Sequence, residues 1–224
     1  MCRGLVVEHK FWIQRWESNQ IGFHQADYSP YLNLYWDKVV SDTSSKVFVP
    51  MAGKTKDMIW LANRGHAVLG VELSEIAVKA FFEENEFTAT QQYVGQFTQY
   101  SAENINFLCG DFFLLEKQNL EDVSAVFDRA SLVAMPPEMR GQYAEHLATI
   151  LTSGVNVLLV SMEYPEGEMA GPPFCVNEKN INQLFEENFS IELLESNDVL
   201  KDNDHLKSRG LSSMVEKVYH LVRK

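Results

Sequence analysis

The stretch VFVPMAGKTKDMIWLANRG, residues 47–65, has the shape of a nucleotide-binding strand, turn and helix. An apolar run over 47–49 meets Pro50, a tight turn follows at Gly53, and helical spacing begins near residue 55. The helix is expected to end at Gly65, where a left-handed residue is needed. The turn matches neither GxGxxG nor GxxxxGKS/T, which disfavours a pyrophosphate or triphosphate. A plain strand–helix turn without a ligand remains open at this point.

The chain has 224 residues, a length that suits one domain. Its net charge of −12 and pI of about 4.9 disfavour nucleic acid as a partner, because a polyanion would be repelled. The longest core-like run, VNVLLV at 155–160, is far too short to span a membrane. The three cysteines have no metal-binding spacing and indicate reduced thiols. We expect a cytoplasmic protein without a metal site.

Strand-like and helix-like segments alternate along the chain, which indicates an α/β fold. Strands are predicted at 46–49, 66–72, 105–111, 123–129 and 155–163, followed by two late strands with little helix between them. We therefore predict one domain over 1–224. Its Rossmann-like, mostly parallel sheet has seven strands, an antiparallel edge strand and helices on both faces. The polar residues 88–104 are predicted to form an excursion outside the core.

Ligands of open α/β sheets lie at the carboxyl ends of the strands, so the polar residues there are candidate ligand contacts. After the first strand, Ala52 and Gly53 allow the backbone to approach a ligand closely. Glu72 ends the second strand, 19 residues after Gly53, and a carboxylate there can accept both hydrogen bonds of a ribose diol. An exposed carboxylate at the entry of a helix is the simpler alternative.

Two further strand ends complete the candidate site. Asp111 and Phe112 lie at the end of the third strand, where a carboxylate can accept an adenine amino proton and an aromatic ring can stack; an ordinary polar turn stays open. Asp128 and Arg129 end the fourth strand, where such a pair is often a surface salt bridge but would here face the crevice. The pattern describes a nucleoside without a phosphate, and S-adenosylmethionine fits it.

Four stretches resemble the bacterial thiopurine S-methyltransferases: 11–25, 48–75, 127–140 and 170–176. The opening W-x-x-N-x-x-G-F-H and the segment DRASLVAMP are the most specific of them. The resemblance implies a Rossmann-like class I methyltransferase fold with an N-terminal lid helix over the cofactor, within residues 1–25. It further implies methyl transfer from S-adenosylmethionine to the sulfur of aromatic or heterocyclic thiols, with S-adenosylhomocysteine as product, by a monomer.

The resemblance also assigns roles to individual residues. Trp12 and Trp16 belong to the lid, and Phe23 contacts cofactor and substrate. Met51 stands where leucine is typical and Ala52 where many relatives have cysteine. The implied cofactor contacts are Trp12, Trp16, Phe23, Met51, Ala52, Gly53, Glu72, Asp111, Phe112 and Arg129.

The implied reaction is an in-line methyl transfer to a soft nucleophile that is already partly ionised. Arg129 is the predicted catalytic residue, because it would stabilise negative charge on the acceptor. Phe23, Pro172, Pro173 and Phe174 would wall the substrate. His24 is interpreted as structural rather than as a base.

Three other functions stay open. The first is methylation of selenium or tellurium species, halide or small thiols. The second is a nicotinamide-dependent oxidoreductase, and the third is a nucleoside-binding module without catalysis. Failure to bind the dinucleotide would dismiss the second, and turnover of any acceptor would dismiss the third.

Overall fold

The computed structural model describes residues 9–201, 207, 208 and 210–224. Residues 1–8 of the predicted lid segment, with Cys2, lie outside this range. Six helices are described: α1 (His9–Glu17), α2 (Pro30–Val39), α3 (Asp57–Asn63), α4 (Glu75–Glu84), α5 (Pro137–Ile150) and α6 (Glu178–Phe185). None of the helices in the described ranges combines the length and apolarity that crossing a membrane requires.

All described strands belong to one sheet. They are β1 (Lys46–Val49), β2 (Ala67–Glu72), β3 (Thr90–Val94), β4 (Phe97–Ala102), β5 (Ile105–Cys109), β6 (Val123–Arg129), β7 (Asn156–Glu163), β8 (Phe189–Asp198) and β9 (Val215–Arg223). Their order is β3-β4-β5-β2-β1-β6-β7-β9-β8. The five central strands pair in parallel, and β4 and β9 run against their neighbours. The predicted mostly parallel sheet is therefore confirmed.

The sheet is covered on both faces because its central strands are apolar on both sides. In β1, Val47 and Val49 pack with α2, α3 and α4, whereas Phe48 packs with α5 and α6 on the opposite face. All three side chains are buried. Burial on both faces is the usual condition of a parallel strand, and it explains why this apolar run lacks the alternation of a half-exposed strand.

The predicted number of seven strands was wrong, because residues 88–104 contain the hairpin β3–β4. A two-residue turn at Gly95 (φ 57°) joins the strands, and β4 extends the sheet beyond β5. Phe97 and Tyr100 are buried, whereas Tyr93 on the edge strand is 86% exposed. Strand β3 is exposed over almost all its length, and its residues are therefore polar. A polar pattern of this kind does not indicate a strand from the sequence alone.

The antiparallel strand near the chain end is β9, and it lies one position inside the predicted edge. It pairs with β7 on one side and β8 on the other. Val218, Tyr219 and Leu221 are buried, so β9 requires cover on both faces. Strand β8 occupies the edge of the sheet. Most of its residues are exposed or half-buried, which suits a strand whose outer side faces solvent.

Candidate functional site

Glu72 is the buried carboxylate at the end of β2, and backbone amides hold it. Its Oε2 accepts from the Gly53 amide at 2.8 Å, and its Oε1 accepts from the Ser74 amide at 2.7 Å. Burial raises the pKa of Glu72 above its ordinary value, and these two amides oppose that rise. An ionised carboxylate has about four acceptor positions, so each oxygen can take a further hydrogen bond from a ligand.

The turn after β1 is tied to the strands on either side of it. The Ala52 amide donates to the Val71 carbonyl at 2.9 Å, and the Ser131 hydroxyl donates to the Pro50 carbonyl at 2.8 Å. Met51 has a φ of 46°, which is uncommon for a residue other than glycine. The backbone of this turn is therefore held in a fixed, strained shape at the edge where the parallel strands end.

Three aromatic residues of the N-terminal segment lie together over this turn. Trp16 is buried, and a Cβ added to Gly53 would lie 3.2 Å from its Cζ2 atom. The ring of Phe23 meets the rings of Trp12 and Trp16 edge to face, with centroids 5.5 Å apart in both pairs. Gly53, with a φ of 55°, thus leaves the space in which the Trp16 indole rests.

Arg129 ends β6 in a partly enclosed position, 12% exposed. Its Nη1 lies 3.7 Å from Oδ2 of Asp57, a partner that was not predicted from the sequence. Asp57 is buried and accepts hydrogen bonds from the Ser29 amide at 2.6 Å and the Thr55 hydroxyl at 2.7 Å. Because the ion pair is long and Asp57 is already bonded elsewhere, the guanidinium keeps its donors for a ligand.

His24 is half-buried and close enough to Lys54 and Arg129 for their charges to act on it. Burial and the positive charge of Lys54 lower the pKa of His24, and Arg129 adds to that effect. The ring is therefore neutral at pH 7. Among the described residues, the His24 side chain has no hydrogen-bond partner. Its connection to the site is therefore its electrostatic interaction with Arg129.

Asp128 lies behind Arg129, fully buried. It accepts a hydrogen bond of 2.5 Å from the Tyr143 hydroxyl on α5, and burial raises its pKa to about 6. The next residue but one, Ala130, has a φ of 68°. Asp128 therefore faces the protein interior, and only Arg129 of the predicted pair faces the strand-end crevice.

The prediction that Phe112 stacks on a ligand does not fit its packing. Its side chain is 4% exposed, and its ring stacks on Tyr143 with centroids 5.0 Å apart. Residues 112–114 form a single 3-10 turn, in which successive side chains point about 120° apart. Only one ring of the Phe-Phe pair can therefore enter the core, and Phe113 stays half-buried at the surface.

Asp111 connects this strand end to α1. One carboxylate oxygen accepts from the Phe113 amide at 3.0 Å, and the other lies 3.2 Å from Nε2 of His9 on α1. Asp111 therefore lies at the predicted position, but the hydrogen bond to Phe113 is a cap of the local turn.

Residues 164–177 form a loop between β7 and α6, which we name the acceptor-side loop. The Phe174 amide donates to the Val133 carbonyl at 2.7 Å, directly after the β6 end that carries Arg129. The Tyr164 hydroxyl donates to the Pro173 carbonyl at 2.8 Å. The predicted substrate residues Pro172 and Phe174 thus lie on the segment that adjoins the β6 end.

The strand ends together bring the buried Glu72 carboxylate, the partly enclosed Arg129 and the turn at residues 51–53 to one edge of the sheet, with three aromatic rings over the turn. Within the described ranges, no group of three or more His, Cys, Asp and Glu side chains could hold a metal ion. The carboxylate suits the vicinal hydroxyls of a ribose, and the arginine suits an anionic group.

The comparisons with known proteins, by sequence and by structure, both identify methyltransferases as similar proteins. A family model described as thiopurine S-methyltransferase matches residues 7–224. Thiopurine S-methyltransferases of Nitrosospira multiformis and Methylococcus capsulatus are 44% and 45% identical over 216 residues, covering 96% of this chain and 98% and 97% of theirs. A solved SAM-dependent methyltransferase from Anabaena variabilis has a TM-score of 0.66 at 13% identity, over 100% of this chain and 98% of its own.

Proposed function

We propose, from the premise that this chain belongs to the thiopurine S-methyltransferase family, that it methylates the sulfur of aromatic and heterocyclic thiols with S-adenosylmethionine. The observation that carries the proposal is the buried Glu72 carboxylate, held by the Gly53 and Ser74 amides beside an aromatic-covered turn. The Rossmann-like fold that the family resemblance implied is confirmed.

The residues at the strand ends fit S-adenosylmethionine. Glu72 keeps acceptor positions for the ribose hydroxyls, and the turn at Met51, Ala52 and Gly53 presents backbone without a bulky side chain at Gly53. Trp12, Trp16 and Phe23 would cover the cofactor. Asp111 would face the adenine of the cofactor. The ring of Phe113, rather than the predicted ring of Phe112, would stack on that adenine.

When bound, S-adenosylmethionine would supply an electrophilic methyl carbon: the acceptor sulfur would form a bond to that carbon as its bond to the sulfonium sulfur breaks, and S-adenosylhomocysteine would leave. The protein contributes alignment, which can supply roughly 7–11 kcal/mol of a barrier. Arg129 stabilises negative charge on the acceptor within a partly enclosed site. Pro172, Pro173 and Phe174 form the apolar wall beside it. His24 is neutral and is assigned no proton transfer.

The reaction itself is tested with methyl-labelled S-adenosylmethionine and a panel of acceptors. We expect label on aromatic thiols and none on the matched phenols, because sulfur is the softer and more acidic nucleophile. Selenite, tellurite, halide and a small aliphatic thiol complete the panel. Label found only on those acceptors would contradict the aromatic-thiol assignment, and cofactor binding without turnover of any acceptor would favour a binding module.

The proposed lid predicts a change in amide exchange. Residues 9–25 should gain protection when S-adenosylmethionine is added, because closing Trp12, Trp16 and Phe23 over the cofactor reduces local opening. Hydrogen–deuterium exchange with mass spectrometry measures it. Residues 137–150 of α5 are the internal reference and should stay unchanged. Equal exchange in 9–25 with and without cofactor would contradict the lid.

We extend the proposal to the whole chain as a single domain in the cytoplasm, as its length and its widely spaced cysteines suggest, and as a monomer, as the family resemblance implies. The continuous nine-stranded sheet supports the single domain. The net charge of −12 supports a small-molecule acceptor rather than nucleic acid.

A further inference from the structure

Lys217 on β9 contacts both ends of the acceptor-side loop. Its Nζ lies 3.0 Å from Oε2 of Glu163 and 3.1 Å from Oε2 of Glu178. Glu163 is the last residue of β7, and Glu178 is the first residue of α6. One ammonium group therefore bridges the two points at which the acceptor-side loop leaves and rejoins regular structure.

The Lys217 side chain is well placed to hold this bridge. It is only 14% exposed, and its backbone is fixed by the pairing of Lys217 with Ser161 across β7 and β9. Burial alone would lower the pKa of Lys217, but hydrogen bonds to Glu163 and Glu178 raise it above its ordinary value. The ammonium is thus fully charged at neutral pH, and partial enclosure reduces solvent screening of the ion pairs.

Other contacts also hold the acceptor-side loop: Val176 is fully buried in the core beside α5 and α6, and Tyr164 packs in an apolar cluster of Leu200, Leu211 and Met214. The Val176 amide donates to the Met162 carbonyl at 2.7 Å, next to the Lys217 bridge. Farther out, the Glu168 carboxylate accepts from the amide and hydroxyl of Ser212 at 2.8 and 2.6 Å. The two hydrogen bonds of Glu168 lie at the surface, where solvent screens them. In the Lys217 bridge the ammonium is largely enclosed, although the Glu178 carboxylate is exposed.

We propose that Lys217 is a positioning residue for the methyl acceptor. By holding Glu163 and Glu178 together, it fixes the ends of the acceptor-side loop, and this fixes where Phe174 meets the β6 end beside Arg129. The inference rests on the proposed function, because it takes Pro172 to Phe174 as the acceptor wall. The proposal predicts that Lys217 affects the affinity for the acceptor and leaves the affinity for the cofactor unchanged, although β9 carries none of the predicted site residues.

The test compares Lys217→Met with Lys217→Arg and with Lys79→Met. Lys79 is a matched control, because it also forms an ion pair, with Glu75 at 3.1 Å, but on α4. We expect the KM for an aromatic thiol to rise roughly tenfold in Lys217→Met, with kcat and the Kd for S-adenosylmethionine unchanged. Lys217→Arg should restore most of the affinity, and Lys79→Met should behave as wild type.

A second variant and a second readout keep the result interpretable. Glu178→Gln removes one carboxylate from an exposed position and should raise the same KM in the same direction. Without any ligand, the Phe174 and Val176 amides should exchange faster in Lys217→Met than in wild type. Unchanged exchange, an unchanged KM, or a cofactor Kd that rises as much as the KM would each overturn the proposal. Failure of the proposed function instead shows as wild-type protein without turnover.

Discussion

Replacing Glu72 with alanine is expected to weaken binding of S-adenosylmethionine by at least about a hundredfold, measured by isothermal calorimetry. The variant loses two hydrogen bonds from ribose hydroxyls to a charged acceptor, each worth about 1.5–3 kcal/mol. Each 1.4 kcal/mol is a tenfold change in Kd. Because Glu72 is buried and preorganised by the Gly53 and Ser74 amides, little of this energy is spent on ordering the side chain.

Glu72→Ala also leaves those two amides without their acceptor, so its stability must be measured alongside its affinity. Glu72→Gln keeps the volume, and it should still lose affinity because the side chain gives up its charge and one acceptor oxygen. Glu75→Gln is the matched control: this half-exposed carboxylate lies one residue beyond Ser74 and should bind cofactor as wild type does. Wild-type affinity in a folded Glu72→Gln protein would remove Glu72 from the ribose site.

The same carboxylate predicts how cofactor affinity depends on pH. Burial raises the pKa of Glu72, so the carboxyl group takes up a proton at higher pH than an ordinary glutamate. A protonated carboxyl accepts hydrogen bonds less well, and affinity should therefore fall as the solution is acidified. Bound ribose hydroxyls favour the ionised form, which links cofactor binding to proton release.

The sequence allowed much of the sheet to be predicted because its central strands carry strong signals. The buried run at 47–49 and the glycine at 65 needed no tertiary information, and both are as expected. The hairpin β3–β4 was different. Strand β3 of the hairpin is exposed and polar, and in β4 only Phe97 and Tyr100 are buried. The pattern of this segment was therefore typical of a loop. Its place in the sheet comes from backbone pairing with β5, which leaves no periodic trace in the sequence.

In the candidate site, too, some contacts were predictable from the sequence and others depended on residues distant in the chain. The contact between the Gly53 turn and Glu72 was predictable, because the carboxyl ends of neighbouring parallel strands must meet at one edge. The partner of Arg129 was not, because Asp57 reaches it from the start of a helix 72 residues earlier. The burial of Phe112 was not predictable for a related reason: which ring of two neighbouring phenylalanines enters the core depends on Tyr143, a residue of α5.

Replacing Arg129 with methionine is expected to lower kcat/KM for an aromatic thiol by roughly 10²–10³, the usual cost of removing one donor to a charged reacting oxygen or sulfur. Methionine keeps most of the apolar volume of the arginine stem, so the wall of the site is retained. Asp57 loses its ion-pair partner but keeps its hydrogen bonds from the Ser29 amide and the Thr55 hydroxyl, so both of its buried oxygens stay bonded. The fold should therefore survive, and circular dichroism and thermal unfolding should confirm it.

Two comparisons separate a charge effect from general damage. Arg64→Met removes an exposed arginine that pairs with Asp37, and it should leave kcat/KM unchanged. The pH profile gives the sharper evidence. Arg129 favours the thiolate, so wild-type activity should persist below the solution pKa of the acceptor, whereas Arg129→Met should be active only where the thiol is already ionised. A uniform loss at every pH would show that Arg129 positions the acceptor without stabilising its charge. Wild-type kcat/KM in the folded variant would remove Arg129 from catalysis, and the Asp57 contact would then be the whole of its role.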